Sequence, residues 1–289
     1  IGRYVIDVPQ SFNNSLRDMI FIDDFRISSK WIYPPAFQQR IKLREQELRD
    51  AVNKPENEPE DAPFIKEKIL LPEGKGVIFD SNRPGSDDLY RRLEAHVYVN
   101  MVAFIITTDI RDFSAPKYKD RKAEYLKTTT EEQTNTKPAK LAALQSLISR
   151  LSGRKDEEIP KEKGMCIPNG FIRDEGITHR EKVTFSYKTD DFVFGVFTNN
   201  TYAGSSDTLF NRSDEIEKFL SLDNQYTIKK YKLSPGGILS QAWLSGGTQT
   251  ISNSEAGGNI ITPSYDFTLY ANEADATPAR PWLTMGIAN

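Results

Sequence analysis

Cysteine is nearly absent from this chain. Cys166 is the single thiol in 289 residues, which excludes an internal disulfide. Histidine is scarce too. His96 and His179 with one cysteine do not make a conventional zinc site. No apolar run approaches the ~18 residues that a membrane-spanning helix needs. The longest, Met101 to Ile106, is better explained by a buried strand. Basic excess is also missing. Lys and Arg number 38 against 41 Asp and Glu, for a net charge of -3. No general positive field therefore draws the chain to nucleic acid or to anionic membrane.

Catalytic signatures are missing as well. The chain has no Gly-x-Ser-x-Gly elbow, and Gly74-Lys75-Gly76 lacks the spacing of a phosphate loop. Asp87-Asp88 and Asp190-Asp191 lack the ligand spacing of a calcium loop. His96 lies inside a strand pattern and reads as packed. His179 begins a hairpin, with no carboxylate at a telling spacing. Cys166 reads as a small buried hydrophobe. No catalytic residue, metal or cofactor is expected. A carboxylate pair scattered through the chain leaves no local motif, so an enzyme or small-ligand protein with a cleft between domains stays as the alternative.

What is present is material for two cores: 38% hydrophobic and 11% aromatic residues. Two stretches, Gly2 to Pro9 and Gly164 to Ile172, read as short apolar strands closed by turn residues, each opening a domain. Met19 to Ile32 reads as one strand. Pro34-Pro35 opens a helix that buries Phe37, Ile41, Leu48 and Val52. Ile69–Leu71 and Val77–Phe79 flank a Pro-Glu-Gly turn as a hairpin. Asp80 to Asp88 reads as a polar loop, and Leu93 to Ile106 as a central strand buried on both faces. From about residue 114 the composition becomes charged. Within that connector Leu141, Leu144, Ile148 and Leu151 share a helical stripe, with Gly153 as its stop.

The second half repeats the pattern. Val183–Tyr187 and Phe192–Phe197 form a hairpin. Ser213 caps a helix whose buried stripe is Ile216, Phe219 and Leu220. Tyr226–Leu233 and Ile238–Leu244 form another hairpin, Gly246 to Gly258 reads as a flexible loop, and Tyr265–Tyr270 and Trp282–Ile287 close the sheet. Frequent hairpin signals decide for antiparallel pairing. The expected fold is α+β in two domains, residues 1–160 and 161–289, each a mainly antiparallel sheet packed with one or two helices.

Gly2-Arg3-Tyr4-Val5-Ile6-Asp7-Val8-Pro9, the later Cys166-(x)3-Gly170-Phe171-Ile172, and Tyr265-Asp266-Phe267 followed by Arg280-Pro281 resemble the bacterial immunity proteins that neutralise lipase effectors of the type VI secretion system. The order of these motifs spans both halves. The resemblance implies a periplasmic inhibitor, often carrying a signal peptide or lipid anchor, whose partner is a secreted lipase. The chain begins at Ile1 rather than Met, so a targeting segment or anchor ahead of it stays open. In the resembled family a cysteine often precedes the Gly-Arg-Tyr stretch, which leaves the pairing of Cys166 open. Inhibition of this kind needs surface loops rather than a reactive group. The candidate loops are Asp80 to Tyr90, Thr198 to Phe210 and Gly246 to Gly258. Asp87, Asp88, Tyr90, Tyr202 and Asp207 are the candidate partner-binding residues, tyrosines as low-entropy anchors and carboxylates to meet a basic rim.

Overall fold

The computed structural model describes residues 2–12, 14, 15, 19–253 and 257–289. In chain order the elements are β1 (Asn14–Ser15), β2 (Met19–Ile22), β3 (Phe25–Trp31), α1 (Pro34–Arg49), β4 (Ile65–Leu70), β5 (Gly76–Asn82), β6 (Tyr90–Val99), β7 (Val102–Arg111), α2 (Lys119–Tyr125), α3 (Glu131–Thr134), α4 (Lys137–Arg150), β8 (Leu151–Gly153), β9 (Gly164–Ile167), β10 (Gly170–Arg173), β11 (Glu181–Lys188), β12 (Val193–Asn199), α5 (Ser213–Leu222), β13 (Gln225–Leu233), β14 (Ser240–Asn253), β15 (Gly258–Ala271) and β16 (Trp282–Ala288). The α+β expectation holds: antiparallel sheet with a few helices. By contacts the chain divides into Phe21–Ile177, and Ile1–Ile20 with Thr178–Asn289.

In the Phe21–Ile177 unit an antiparallel sheet runs β3-β7-β6-β5-β4. The stretch read as one central strand is two. β6 and β7 fold on Asn100-Met101, whose φ values of 51° and 66° make a two-residue hairpin turn. Asparagine tolerates that region, but methionine is no turn signal, which is why the break is silent in the sequence. Leu93, Ala95 and Val97 of β6 and Val102, Phe104 and Ile106 of β7 are all fully buried. Each large side chain so placed contributes about 1.5–3 kcal/mol. Likewise the expected single strand Met19 to Ile32 breaks at Asp23, φ 51°, into β2 and β3. Asp80, Ser81 and Asn82, expected in a loop, lie inside β5 and are buried.

Helix α1 forms where Pro34-Pro35 predicts it, and Phe37, Ile41 and Leu48 pack on Val77, Phe79 and Ala103 of the sheet. Gly76 sits at φ 145°, where a Cβ would stand 1.8 Å from the His96 carbonyl oxygen, so only glycine fits. Helix α4 buries Leu144 and Leu147. It ends at Arg150 and passes directly into β8, three residues before the turn expected at Gly153. The stretch from Gly164 is a tight hairpin, not one strand. β9 and β10 turn at Pro168-Asn169, with Asn169 at φ 55°, and join β8 in a second sheet ordered β8-β10-β9. Cys166 there is half-buried rather than fully buried.

In the other unit the sheet runs β13-β14-β15-β16-β12-β11, all antiparallel, with β1 on β11. Phe194, Val196, Ala242, Leu269, Ala271 and Leu283 form its core. The Gly2 to Pro9 stretch is not a ladder strand. It is an extended segment whose Tyr4, Ile6 and Val8 pack on that core. Arg3 and the Tyr4 hydroxyl fix it, donating to Glu181 at 2.6 Å and to the Pro281 carbonyl at 2.6 Å. Of the expected flexible loop from Gly246 to Gly258, residues 246–253 and Gly258 are ladder instead, and residues 254–256 lie outside the described residues. β14 and β15 pair in unbroken register from Ser240↔Ala271 to Asn253↔Gly258. Helix α5 buries none of its residues, and Phe219 of its expected inner stripe is 59% exposed.

Candidate functional site

The Asp80 to Tyr90 stretch starts in β5 with its polar groups turned inward. Asp80 accepts from Arg91 at 2.8 and 3.1 Å and pairs with Lys137 at 2.7 Å. Arg91 also reaches Asp112 at 2.9 Å. The turn that follows is closed by backbone bonds from Arg83 to Tyr90 and from Tyr90 to Asp87.

Asp88 is drawn toward the body of the unit. Lys66 meets it at 2.8 Å, Lys117 at 2.9 Å, and the Tyr118 hydroxyl donates to it. Burial pushes this carboxyl up, but the three donors outweigh it and hold it at about 2. Burial and the Asp88 charge push the Tyr118 hydroxyl up to about 12. Asp87 stays at the surface and pairs with Arg121. Tyr90 is half-buried, with the Arg111 guanidinium 5.8 Å from its ring centre.

A second network escaped the sequence reading. Glu94 takes both arms of Arg44 at 2.8 Å and lies 2.7 Å from His96 Nε2. Burial raises the Glu94 carboxyl, yet His96 and Arg44 together hold it at about 2. His96 and Glu94 stand two apart on β6, so they share a face, and that period-2 spacing is the signal that was available. The Phe79 ring meets His96 edge-on. The pair is walled in by packing, with both residues 5% exposed.

In the other unit, Glu273 organises the Thr198 to Phe210 stretch. Its carboxylate accepts from the Leu209 N–H at 2.6 Å and from Arg212 at 2.7 Å, and its carbonyl from Ser205 N–H at 2.9 Å. Tyr202 packs on Trp282 with ring centres 4.8 Å apart, and Phe197 and Tyr270 complete the cluster around that indole. Asp207 is exposed, 3.8 Å from Arg212. The third stretch is an arm. β13 pairing stops at Gly247 and β16 pairing at Asp266, so β14 and β15 continue beyond them as two strands alone. Ile251, Ile260 and Ile261 there are 49%, 48% and 72% exposed.

The structure thus separates the five candidate residues. Asp87 and Tyr90 lie together on one turn of the Phe21–Ile177 unit, with Asp88 beneath them. Tyr202 and Asp207 share a loop of the other unit. Among the described residues no cluster of three metal-ligating side chains occurs, and no helix is long and apolar enough to cross a membrane.

The family model described as the N-terminal domain of Tle cognate immunity protein 4 matches residues 1–154, and that of its C-terminal domain matches residues 158–289. Among solved structures the chain is similar to one described as a Tle4–Tli4 complex, at TM-score 0.68 and 18% identity over 99% of this chain and 83% of that one. It is also similar to the apo immunity protein TplEi of the type VI secretion system from Pseudomonas aeruginosa, at 0.66 and 18% over 99% and 85%. TplEi complexed with an "L" peptide gives 0.63 and 18% over 99% and 84%. No curated protein matches. The class is therefore that of immunity proteins, and the kinship read from the three motifs is borne out. The chain belongs to the Tle cognate immunity protein 4 family, with both family domains present in order.

Proposed function

We propose that this immunity protein binds a cognate type VI secreted lipase and stops it by covering its catalytic region, with no chemistry of its own. The family match over residues 1–154 and 158–289 carries this reading. A similar protein, Tli4, has been solved in complex with Tle4, which supports a direct protein partner. Physically, such a role needs surfaces held rigid so that little ordering entropy is lost on binding. The Asp80 and Glu94 networks fix the strands from which the Arg83–Tyr90 turn projects. Asp87, Tyr90, Tyr202 and Asp207 are the proposed contact residues, and Asp88 sets the turn from below. A division near residue 160 and a periplasmic site of action belong to the same proposal.

The test is calorimetric titration into the lipase encoded by the neighbouring gene, with lipase activity followed in parallel. Tight binding with matching loss of activity is expected. No binding at micromolar concentration, or binding that leaves activity intact, overturns the reading.

A further inference from the structure

The Phe21–Ile177 unit carries a small pocket of about 80 Å³, with an apolar floor and charged walls, between the C-terminal half of α1 and the start of the Arg83–Tyr90 turn. That volume suits one side-chain head group rather than a metabolite. Its cationic walls are Arg44, Lys54, Arg83 and Arg92, and Glu47 is the one acid in the lining.

The charges do not cancel. Arg44 is held by Glu94 at 2.8 Å and by Glu47 at 2.7 Å. Lys54 reaches Glu47 only at 4.0 Å. Arg83 and Arg92 share one carboxylate, Asp109, at 3.3 and 3.0 Å. Four cations thus meet three carboxylates, Glu47, Glu94 and Asp109. The surplus lies on Arg83 and Arg92, whose side chains are 41% and 39% exposed. The pocket wall also holds Asn82, 5% exposed, whose Oδ1 has no hydrogen-bond partner among the described residues. A buried acceptor left so costs about 1–3 kcal/mol.

We propose that this pocket is a docking site for an acidic loop of the lipase, whose carboxylate is received by Arg83 and Arg92. The inference rests on the proposed function and names the contact that the Asp80 to Tyr90 stretch makes. Guanidinium groups bind carboxylates with fixed, two-pronged geometry. The exposed carboxylate of Asp87 lies further along the same turn, so the turn presents both signs of charge to one partner.

The test compares the wild type with Arg83→Glu, Arg92→Glu and the double reversal for binding to the cognate lipase. Melting temperature is followed as a check on folding, and Arg83→Ala/Arg92→Ala serves as the milder variant. Each reversal is expected to weaken Kd about tenfold and the double reversal about a hundredfold. Raising the salt should weaken the wild type more than the double variant. Changing the facing acidic residue of the lipase to Lys should restore binding to the reversed variant. If the wild type binds and the folded double variants bind within twofold of it, the pocket assignment is overturned and the inhibitor reading stands. If the wild type itself does not bind, both fall.

Discussion

The two units of the chain place their polar groups in opposite ways. Phe21–Ile177 buries charge: Asp80 is fully enclosed and Glu94, Arg91, His96 and Asp61 nearly so, in networks that tie β5 and β6 to α1 and α4. Among its described residues, the unit of Ile1–Ile20 with Thr178–Asn289 buries two carboxylates, Glu181 paired with Arg3 and Glu273 paired with Arg212. It also exposes more large apolar side chains than the first unit, where Tyr33 and Leu70 are nonetheless 75% and 73% exposed. Phe219 and Leu222 of α5 are 59% and 70% exposed, and Ile261 of the arm is 72% exposed. Exposed apolar patches on a folded unit call for a partner more than they call for a fold. The first unit is braced from inside, and the second leaves more of its apolar area to be covered.

The largest break in this comparison should come from Asp80→Ala. It leaves Arg91 and Lys137 without their shared carboxylate and should cost about 3–5 kcal/mol. Hydrogen exchange should show protection lost first in Phe21–Ile177. Acid should act on the same unit. The Glu94 carboxyl is held at about 2 against an ordinary 4.5. Its contribution is therefore full above pH 4.5 and is lost as pH falls from 4.5 toward 2, roughly 3 kcal/mol in all. Denaturant midpoints across that range should fall in the wild type and flatten in Glu94→Gln.

Smaller effects sharpen the contrast. Asp88→Ala should cost about 2 kcal/mol, because Lys66 and Lys117 lose a half-buried partner. Asp87→Ala, at an exposed pair, should stay within about 0.5 kcal/mol while weakening lipase binding. Phe219→Ser on α5 should change stability least of all, again within about 0.5 kcal/mol. A destabilisation of several kcal/mol there would mean that α5 is packed after all.

The sequence was most legible where a local signal sets the backbone. Pro34-Pro35 marked α1, and the Pro-Glu-Gly and Ser-Pro-Gly-Gly turns marked two hairpins. It was least legible where the turn chemistry is unusual or the polarity misleads. Asn100-Met101 hides a hairpin inside an apolar run, and Asp80-Ser81-Asn82 is polar yet buried because its partners lie far along the chain. Asp80 meets Arg91 eleven residues away and Lys137 beyond that. The Gly246 to Gly258 stretch looked like a loop because its glycines, serines and Asn253 give no apolar alternation and little strand propensity. The order of residues 246–253 comes from cross-strand pairing with β15. Long-range partners, rather than local propensity, also decide which candidate residues face out. Asp87 and Asp88 are adjacent in sequence, and only the positions of Lys66, Lys117 and Tyr118 separate their roles.

Stoichiometry of inhibition tests the central idea most directly. Lipase activity is measured as this protein is added in steps to a fixed amount of the cognate enzyme. A binder that covers the catalytic region predicts a linear fall that ends at one copy per enzyme, with activity restored when the complex is separated. Inactivation by a small fraction of one equivalent, or full activity beyond several equivalents, would contradict it.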